Sequence, residues 1–325
     1  MAVTLLLLAL VLGTIVYCVL VAIAARRYLA SRPPALAKPV PISVLKPLFG
    51  VEDSLENHLR TFFVQQYPKF EILFAVREES DPAVAIVERL RAEFRNVASR
   101  LIVTGEPPWP NAKVFSLDCM KGAARHDLLV MSDSDVRVTP DFLATIAAEF
   151  QDKRVGLVTC PYRAIAGPSP WSRLEAAGMN TMFLGGVLVA RMLEGMKFAL
   201  GPTIAARRGV VDAIGGFERL KDYLAEDFVM GKLAAEKGHT VILSSYVIEH
   251  HIGSQGLRAN LAHRLRWARS TRRSRPKGYV GELFTMPLVP AVLLTAWDPQ
   301  FGVAGLVAVL LRFWSGRAVC RVAGA

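Results

Sequence analysis

Apolar and polar positions fall into three regimes along the chain. Residues 5–25 form a nearly unbroken apolar run, and the first 25 residues carry no charged side chain. At 1.5 Å rise per residue, a helix of that length crosses a hydrocarbon core of roughly 30 Å. The pattern predicts a transmembrane anchor. A cleaved signal peptide is the alternative: the small residues Ala22 to Ala25 favour it, the uncharged start and the length of the run oppose it. From about Val40 short β-branched runs alternate with amphipathic stretches, predicting strands at 42–45, 72–76, 101–103, 128–131 and 155–159 and helices at 55–63, 82–94, 112–124 and 140–150. Beyond Lys277 the chain turns apolar in two pieces, 283–297 and 301–311, divided by Asp298 and Pro299. Each piece is short for a span, so a re-entrant hairpin, interfacial helices and a crossing all fit it.

Strands alternating with helices on this period predict an α/β domain with a mainly parallel, Rossmann-like sheet covered on both faces, and ligands at the carboxyl ends of its strands. Pro33, Pro34, Pro39 and Pro41 mark a stiff linker ahead of it. Arg26, Arg27, Arg32 and Lys38 follow the anchor with no acidic residue among them, which places the downstream chain in the cytoplasm by the positive-inside bias.

The net charge of +11 on a chain that is 52% hydrophobic suits an anionic membrane surface or nucleic acid. Eight Lys or Arg fall between Arg258 and Lys277 without an acid, and Arg269, Arg272, Arg273, Arg275 and Lys277 are expected to face anionic headgroups. Aromatics are not interleaved through that run as base stacking requires, which argues against nucleic acid. Cys18, Cys119, Cys160 and Cys320 are scattered and form no CxxC pair, which argues against a zinc ribbon or a disulfide framework and suggests a reducing compartment.

Three constellations carry chemistry. Strand 128–131 runs into Ser132-Asp133-Ser134-Asp135, placing two carboxylates where the crevice of such a sheet opens. Hard cations such as Mn2+ or Mg2+ take that oxygen set, with substrate phosphates completing the shell. A solvated Asp-rich turn is the plainer reading of an isolated Asp-x-Asp; the strand-end position favours a metal and diphosphate site. Glu226 and Asp227 open a predicted helix running to about Lys237. Acidic residues there also suit the helix dipole, and Asp227 is the candidate general base near an acceptor hydroxyl. Third, in His263-Arg264-Leu265-Arg266-Trp267, arginine can neutralise a leaving diphosphate with forked donors while the indole walls the pocket. The stretch 179–200, apolar but broken by Arg191, Glu194 and Lys197, fits an interfacial segment or a core helix interrupted at Gly185-Gly186. Gly201-Pro202 and Gly215-Gly216-Phe217 read as turns, shaping the acceptor side or purely structural.

Leu45-Lys46-Pro47-Leu48, the strand ending in Val76-Arg77-Glu78, Asp133-Ser134-Asp135, Glu226-Asp227 and His263-x-x-Arg266-Trp267 occur in an order that resembles the ceramide glucosyltransferase family. This is glycosyltransferase family 21, within the family 2-like inverting enzymes, and it includes bacterial hopanoid-associated glycosyltransferases. The resemblance implies an A-type glycosyltransferase fold with an N-terminal transmembrane helix and C-terminal membrane-associated segments. It implies transfer, with inversion, of glucose or N-acetylglucosamine from a UDP-sugar to the hydroxyl of a membrane lipid. Ceramide is the first acceptor it suggests and a hopanoid lipid the alternative. A processive polysaccharide synthase and a non-catalytic basic membrane-binding module are the rival readings.

By the same resemblance Asp133 and Asp135 match the metal and diphosphate carboxylates, Asp227 the general base, and Arg266 with Trp267 the closing motif. Lys46, Glu78, Lys113 and His263 join Asp133 and Asp135 on the donor side. Two positions depart from the family pattern. His263 stands where Gln or Arg is common, and Glu78 stands where an aspartate often contacts the uracil, with Glu79 and Asp81 nearby. The expected organisation is an anchor over 1–25, a basic Pro-rich linker over 26–39, a catalytic domain over 40–257, a basic Arg-Trp segment over 258–280 and apolar membrane-associated segments over 281–325. The expected location is a membrane, the bacterial inner membrane or its equivalent, with the catalytic domain cytoplasmic and no nucleic-acid partner.

Overall fold

The structure, a computed structural model, describes residues 1–254 and 256–324; the side chain of Lys277, expected at headgroups, lies outside that description. The chain divides into two compact units. One is helical and takes Met1–Ser31, Pro168–Gly195 and Ser254–Ala325; the other is α/β and takes Arg32–Gly167 and Met196–Gly253.

The α/β unit contains ten strands: β1 (Ile42–Pro47), β2 (Phe70–Val76), β3 (Ala98–Val103), β4 (Leu128–Ser132), β5 (Val136–Arg137), β6 (Val155–Thr159), β7 (Tyr162–Ile165), β8 (Thr203–Arg207), β9 (Thr240–Leu243) and β10 (Ile248–His251). Seven of them form a sheet ordered β3-β2-β1-β4-β8-β6-β9, and β5-β10-β7 form a second, small sheet. Strands β3, β2, β1 and β4 are mutually parallel, as the strand–helix alternation demands. The β-branched and aliphatic runs of β1, β2 and β4 are buried on both faces, from Ile42, Val44 and Leu45 to Leu129 and Val130, while the edge strand β3 is half-exposed. Strand β8 runs antiparallel to both its neighbours, β4 and β6. The alternation pattern does not reveal it, because it is five residues long and no helix separates it from the Gly201-Pro202 turn.

The sequence order reverses at β1: β2 and β3 lie to one side of it, β4 to the other. A crevice outside the carboxyl ends of strands opens at such a reversal. The residues that leave those two ends are Lys46-Pro47 and Asp133-Ser134-Asp135.

In the helical unit, Ala2–Ala30 is one continuous helix. Three helical stretches among the described residues are long and apolar enough to cross a membrane: Ala2–Ala30, Pro170–Glu194 and Pro299–Ala323. A bent pair, Gly278–Thr285 with Leu288–Trp297, would make a fourth. Two expectations are corrected. The apolar piece at 301–311 is the first half of a 22-residue helix, Gly302–Ala323. It continues because Arg312, Arg317 and Arg321 are good helix formers that end the apolar run without ending the helix. The Gly185-Gly186 pair does not break its helix either. Gly185 lies in the helix against Val21 and Val319, which a Cβ there would meet at an ordinary packing distance of 3.5 Å. The irregularity comes earlier, as a π-helical turn at Met179–Phe183, and the helix stops at Gly195, whose φ of 73° favours glycine.

Candidate active site

Parallel register places Leu45 opposite Met131, so Lys46 lies beside the end of β4. Its ammonium is fully buried, 3.4 Å from Ser132 Oγ, and it donates to the Asp133 carbonyl. It also sits 4.0 Å from the centre of the Phe62 ring. Lys46 therefore pins the backbone of the Asp-x-Asp turn from beneath. Burial, with the like charge of Lys113, pushes its pKa down to about 7 against the pull of Asp133 and Asp135. The turn is also tied to β8, through Asp133 N–H donating to the Pro202 carbonyl at 3.0 Å and Thr203 Oγ1 lying 3.1 Å from Ser132 Oγ.

Asn111 caps the helix Ala112–Ala123 by accepting from Val114 N–H at 3.2 Å. Lys113 is thus in the first turn, where the helix dipole disfavours a cation. Its partners outweigh that cost: Lys113 Nζ lies 2.6 Å from Asp133 Oδ1 and 3.3 Å from Glu226 Oε1. Burial alone would lower its pKa, but those carboxylates hold it well above the usual lysine range.

Glu226 and Asp227 begin the helix Glu226–Glu236, whose N-cap, Ala225, has no side-chain cap. Gly231 fixes that helix in place, because a Cβ there would collide with the backbone of Phe198 and Ala199. The following residues, 200–203, form the turn that touches Asp133. Asp227 Oδ2 lies 3.0 Å from where a Cβ of Gly201 would be. An open cleft of about 370 Å3 is the result, lined by Lys113, Asp133, Gly201, Glu226 and Asp227 over an apolar floor that includes Phe217. Burial and the adjacent Glu226 charge push the Asp227 carboxyl up to about 6.

The small sheet supplies the far side of the Asp-x-Asp turn. Pairing of β10 with β5 sets His250 opposite Val136, and His251 N–H donates to the Asp135 carbonyl at 2.9 Å. His250 Nε2 then lies 3.0 Å from Asp135 Oδ2. Burial raises the Asp135 pKa and the His250 contact lowers it further, so Asp135 sits below its usual range. Burial and the neighbouring Asp135 charge hold Asp133 above its own range despite Lys113. Asp135 Oδ1 is buried without a hydrogen-bond partner. Among the described residues no group of three His, Cys, Asp or Glu side chains is arranged to enclose a cation. An orphaned carboxylate oxygen with a second carboxylate two residues away fits a hard divalent ion that takes most of its shell from substrate phosphate and water.

Asp133, Lys113 and Asp227 therefore line one cleft, with Lys46 and Asp135 behind it. Glu78 lies past the end of β2, largely exposed, accepting from Ser80 Oγ at 3.2 Å, and is not among the residues that line the cleft. Nearby Asp81 is engaged locally, accepting from Gly50 N–H at 3.0 Å and Ala83 N–H at 2.8 Å. His263, Arg266 and Trp267 lie on the helix Leu257–Ser274 of the helical unit. There Glu175 accepts from Asn260, and its Oε1 lies 2.6 Å from His263 Nδ1. Trp267 packs on His263 and Phe183, with ring centres 5.1 and 5.5 Å away. Arg266 is exposed. Sequence reasoning missed His250 and Glu175, and it took Gly201 for a turn residue without its approach to Asp227. Nothing in their local spacing ties them to motifs that lie far away along the chain.

A mannosyltransferase from Pyrobaculum calidifontis, solved in complex with GDP-Man and Mn2+, superposes with a TM-score of 0.65 at 19% identity, covering 99% of this chain and 97% of that one. The fold is the A-type glycosyltransferase fold, carried with an N-terminal apolar helix and C-terminal candidate spans. The family model for glycosyl transferase family 21 matches residues 4–323, and the chain belongs to that family. Ceramide glucosyltransferase 1 of Caenorhabditis elegans is 28% identical over 207 residues, 63% of this chain and 44% of that protein. Ceramide glucosyltransferase 3 of the same organism is 24% identical over 237 residues, 70% of this chain and 50% of that protein. The chain thus spans about half the length of these curated relatives.

Proposed function

We propose that this protein transfers a sugar from a UDP-sugar to the hydroxyl of a membrane lipid of the ceramide type, with inversion, at the cytoplasmic face of a membrane. The observation that carries the reading is the single cleft faced by Asp133, Lys113 and Asp227 beside the sheet's reversal point. The donor diphosphate binds at Lys113, and Asp133 and Asp135 would hold a divalent cation beside it. When bound, that cation neutralises charge on the diphosphate.

Asp227, half-buried and ionised above about pH 6, takes the proton from the acceptor hydroxyl as its oxygen attacks the anomeric carbon. The bond from that carbon to the diphosphate oxygen breaks in the same displacement, and UDP leaves. Lys46 acts through the backbone it holds, fixing Asp133 in place. Glu78 is assigned to the uridine side, and Arg266, Trp267 and His263 to the leaving group and pocket wall, on the family motif. General-base assistance of this kind contributes on the order of 10² to 10⁴ in rate.

The lipid acceptor rests on the apolar helices and on the ceramide glucosyltransferase relatives. The helix stretch Pro170–Glu194 supports it further. Strands β6 and β8, which flank it in sequence, pair with each other, so both its ends are tethered to one sheet. Its second half packs along the apolar helix Ala2–Ala30, with Gly185 beside Val21 and the Arg191 guanidinium over the Tyr28 ring, so it belongs with the membrane-associated helices.

The test offers the purified full chain, in lipid nanodiscs, a panel of UDP-sugars with membrane lipid extract and identifies the product by mass spectrometry. A glycosylated lipid is expected, formed by the native protein and lost in Asp227→Asn, which still binds UDP. Turnover of Asp227→Asn close to native would overturn the assignment of the base.

A further inference from the structure

The helical unit has a second cleft, about 520 Å3 and open, lined by none of the residues assigned to the active site. It lies between the carboxyl-terminal ends of Ala2–Ala30 and Gly302–Ala323. These two helices run parallel: Val11 clusters with Ala308, and Ala22, Ala25 and Arg26 meet Trp314, Arg317 and Arg321. Their packed small residues open the space, and three guanidinium groups, from Arg26, Arg317 and Arg321, line it. Among the described residues none of the three has an ion-pair or hydrogen-bond partner. All three are exposed.

Three unpaired arginines at one cleft repel one another unless an anion joins them. Forked guanidinium donors match the oxygens of a phosphate group. What lies below the arginines on the same helix face narrows the choice of anion. Arg321, Arg317, Phe313, Leu310 and Leu306 recur at intervals of four, four, three and four and so form one stripe. Its lower members are exposed apolar side chains: Phe313 at 72%, Leu310 at 57% and Leu306 at 59%. Trp314, half-exposed, sits at the boundary, where indole rings prefer the interface between headgroup and acyl chain. Basic above, aromatic at the boundary and apolar beneath, this stripe has the polarity of a single phospholipid.

We infer that this cleft binds the phosphate of an anionic phospholipid from the cytoplasmic leaflet, with an acyl chain laid along Phe313, Leu310 and Leu306. The inference rests on the reading that these helices sit in a bilayer with Arg26 at the cytoplasmic headgroups. Arg317 and Arg321, one turn apart, grip the phosphate from one helix and Arg26 from the other. Free phosphate would satisfy the arginines and leave the apolar stripe uncovered.

The full chain is placed in nanodiscs of phosphatidylcholine containing a minor share of phosphatidylglycerol, and the lipids retained after gentle detergent release are counted by native mass spectrometry. The native protein is expected to retain phosphatidylglycerol in preference to phosphatidylcholine, and Arg317→Gln/Arg321→Gln to lose that preference by about tenfold, the loss of roughly one charge-assisted contact. Arg27→Gln, exposed and outside the cleft, should shift it by less than about twofold. Arg317→Lys/Arg321→Lys, which keeps the charges, should retain part of it.

Equal retention by the native protein and the double Gln variant, or an equal loss in Arg27→Gln, overturns the site. Displacement of phosphatidylglycerol by millimolar inorganic phosphate assigns the arginines to a soluble anion and overturns the lipid. Failure of the native protein to resist alkaline extraction from vesicles defeats the membrane reading itself, whereas insertion without lipid preference defeats this inference alone.

Discussion

Gly201 faces Asp227 across the cleft so closely that a Cβ at Gly201 would lie 3.0 Å from Asp227 Oδ2. The glycine is there for room, since its backbone needs no left-handed conformation. Gly201→Ala should displace the carboxylate by a few tenths of an ångström to an ångström and lower turnover roughly ten- to a hundredfold. UDP affinity should change little. Single-turnover rates together with calorimetric UDP binding check this, and an unchanged rate would remove Asp227 from its position as base.

The raised pKa of Asp227 gives a pH profile. A base must be ionised, so the single-turnover rate should climb about tenfold per pH unit below 6 and level off above it. Stability follows the opposite sign. The folded state binds this proton more tightly than the unfolded chain, so the stabilisation is complete below about pH 4 and lost as pH rises through about 6. Asp227→Asn should therefore be more stable than the native protein by roughly 1–3 kcal/mol at pH 7.5 and no more stable at pH 4. Denaturant titrations at the two values measure it.

Lys113 stands between Asp133 and Glu226, and its charge also holds down the pKa of Asp227. Lys113→Gln should raise the KM for the donor about tenfold, through loss of a charge-assisted contact. It should also move the midpoint of the pH–rate profile upward. A lower KM, or a midpoint moved downward, would contradict the bridge.

Chelation with EDTA should abolish transfer, and Mn2+ or Mg2+ should restore it. Asp135→Asn removes one of two carboxylates and should weaken Mn2+ binding in the presence of UDP at least about tenfold. Electron paramagnetic resonance of free Mn2+ reads this without turnover. Native affinity in that variant would place the ion elsewhere.

The buried strands were legible because they are continuous apolar runs: β6 matches its expected limits, and β1, β2 and β4 extend theirs by a residue or two, whereas the half-exposed edge strand β3 starts three residues before its expected limit. The Asp-x-Asp turn and Asp227 were legible for a related reason, as they leave strand and helix ends. What was hidden lies where remote segments meet. His250 reaches Asp135 only because β10 pairs with β5, and Gly201 matters only because Gly231 lets the Glu226–Glu236 helix lie against residues 198–199. The long C-terminal helix was hidden by its arginines, which interrupt an apolar pattern without interrupting a backbone.

The interleaving of the two units sets an order of events at the ribosome. Strand β8 pairs with both β4 and β6, yet it is synthesised only after the Pro170–Glu194 stretch. Until then β4 and β6 each present an unpaired edge, a template for pairing with other chains. The sheet therefore closes only after that apolar stretch has been made, and the Asp-x-Asp turn, which leans first on Pro202 and Thr203 and then on His250 and His251 of β10, is completed later still. A chain halted within that stretch is left with open edges on β4 and β6, and aggregation is its expected fate.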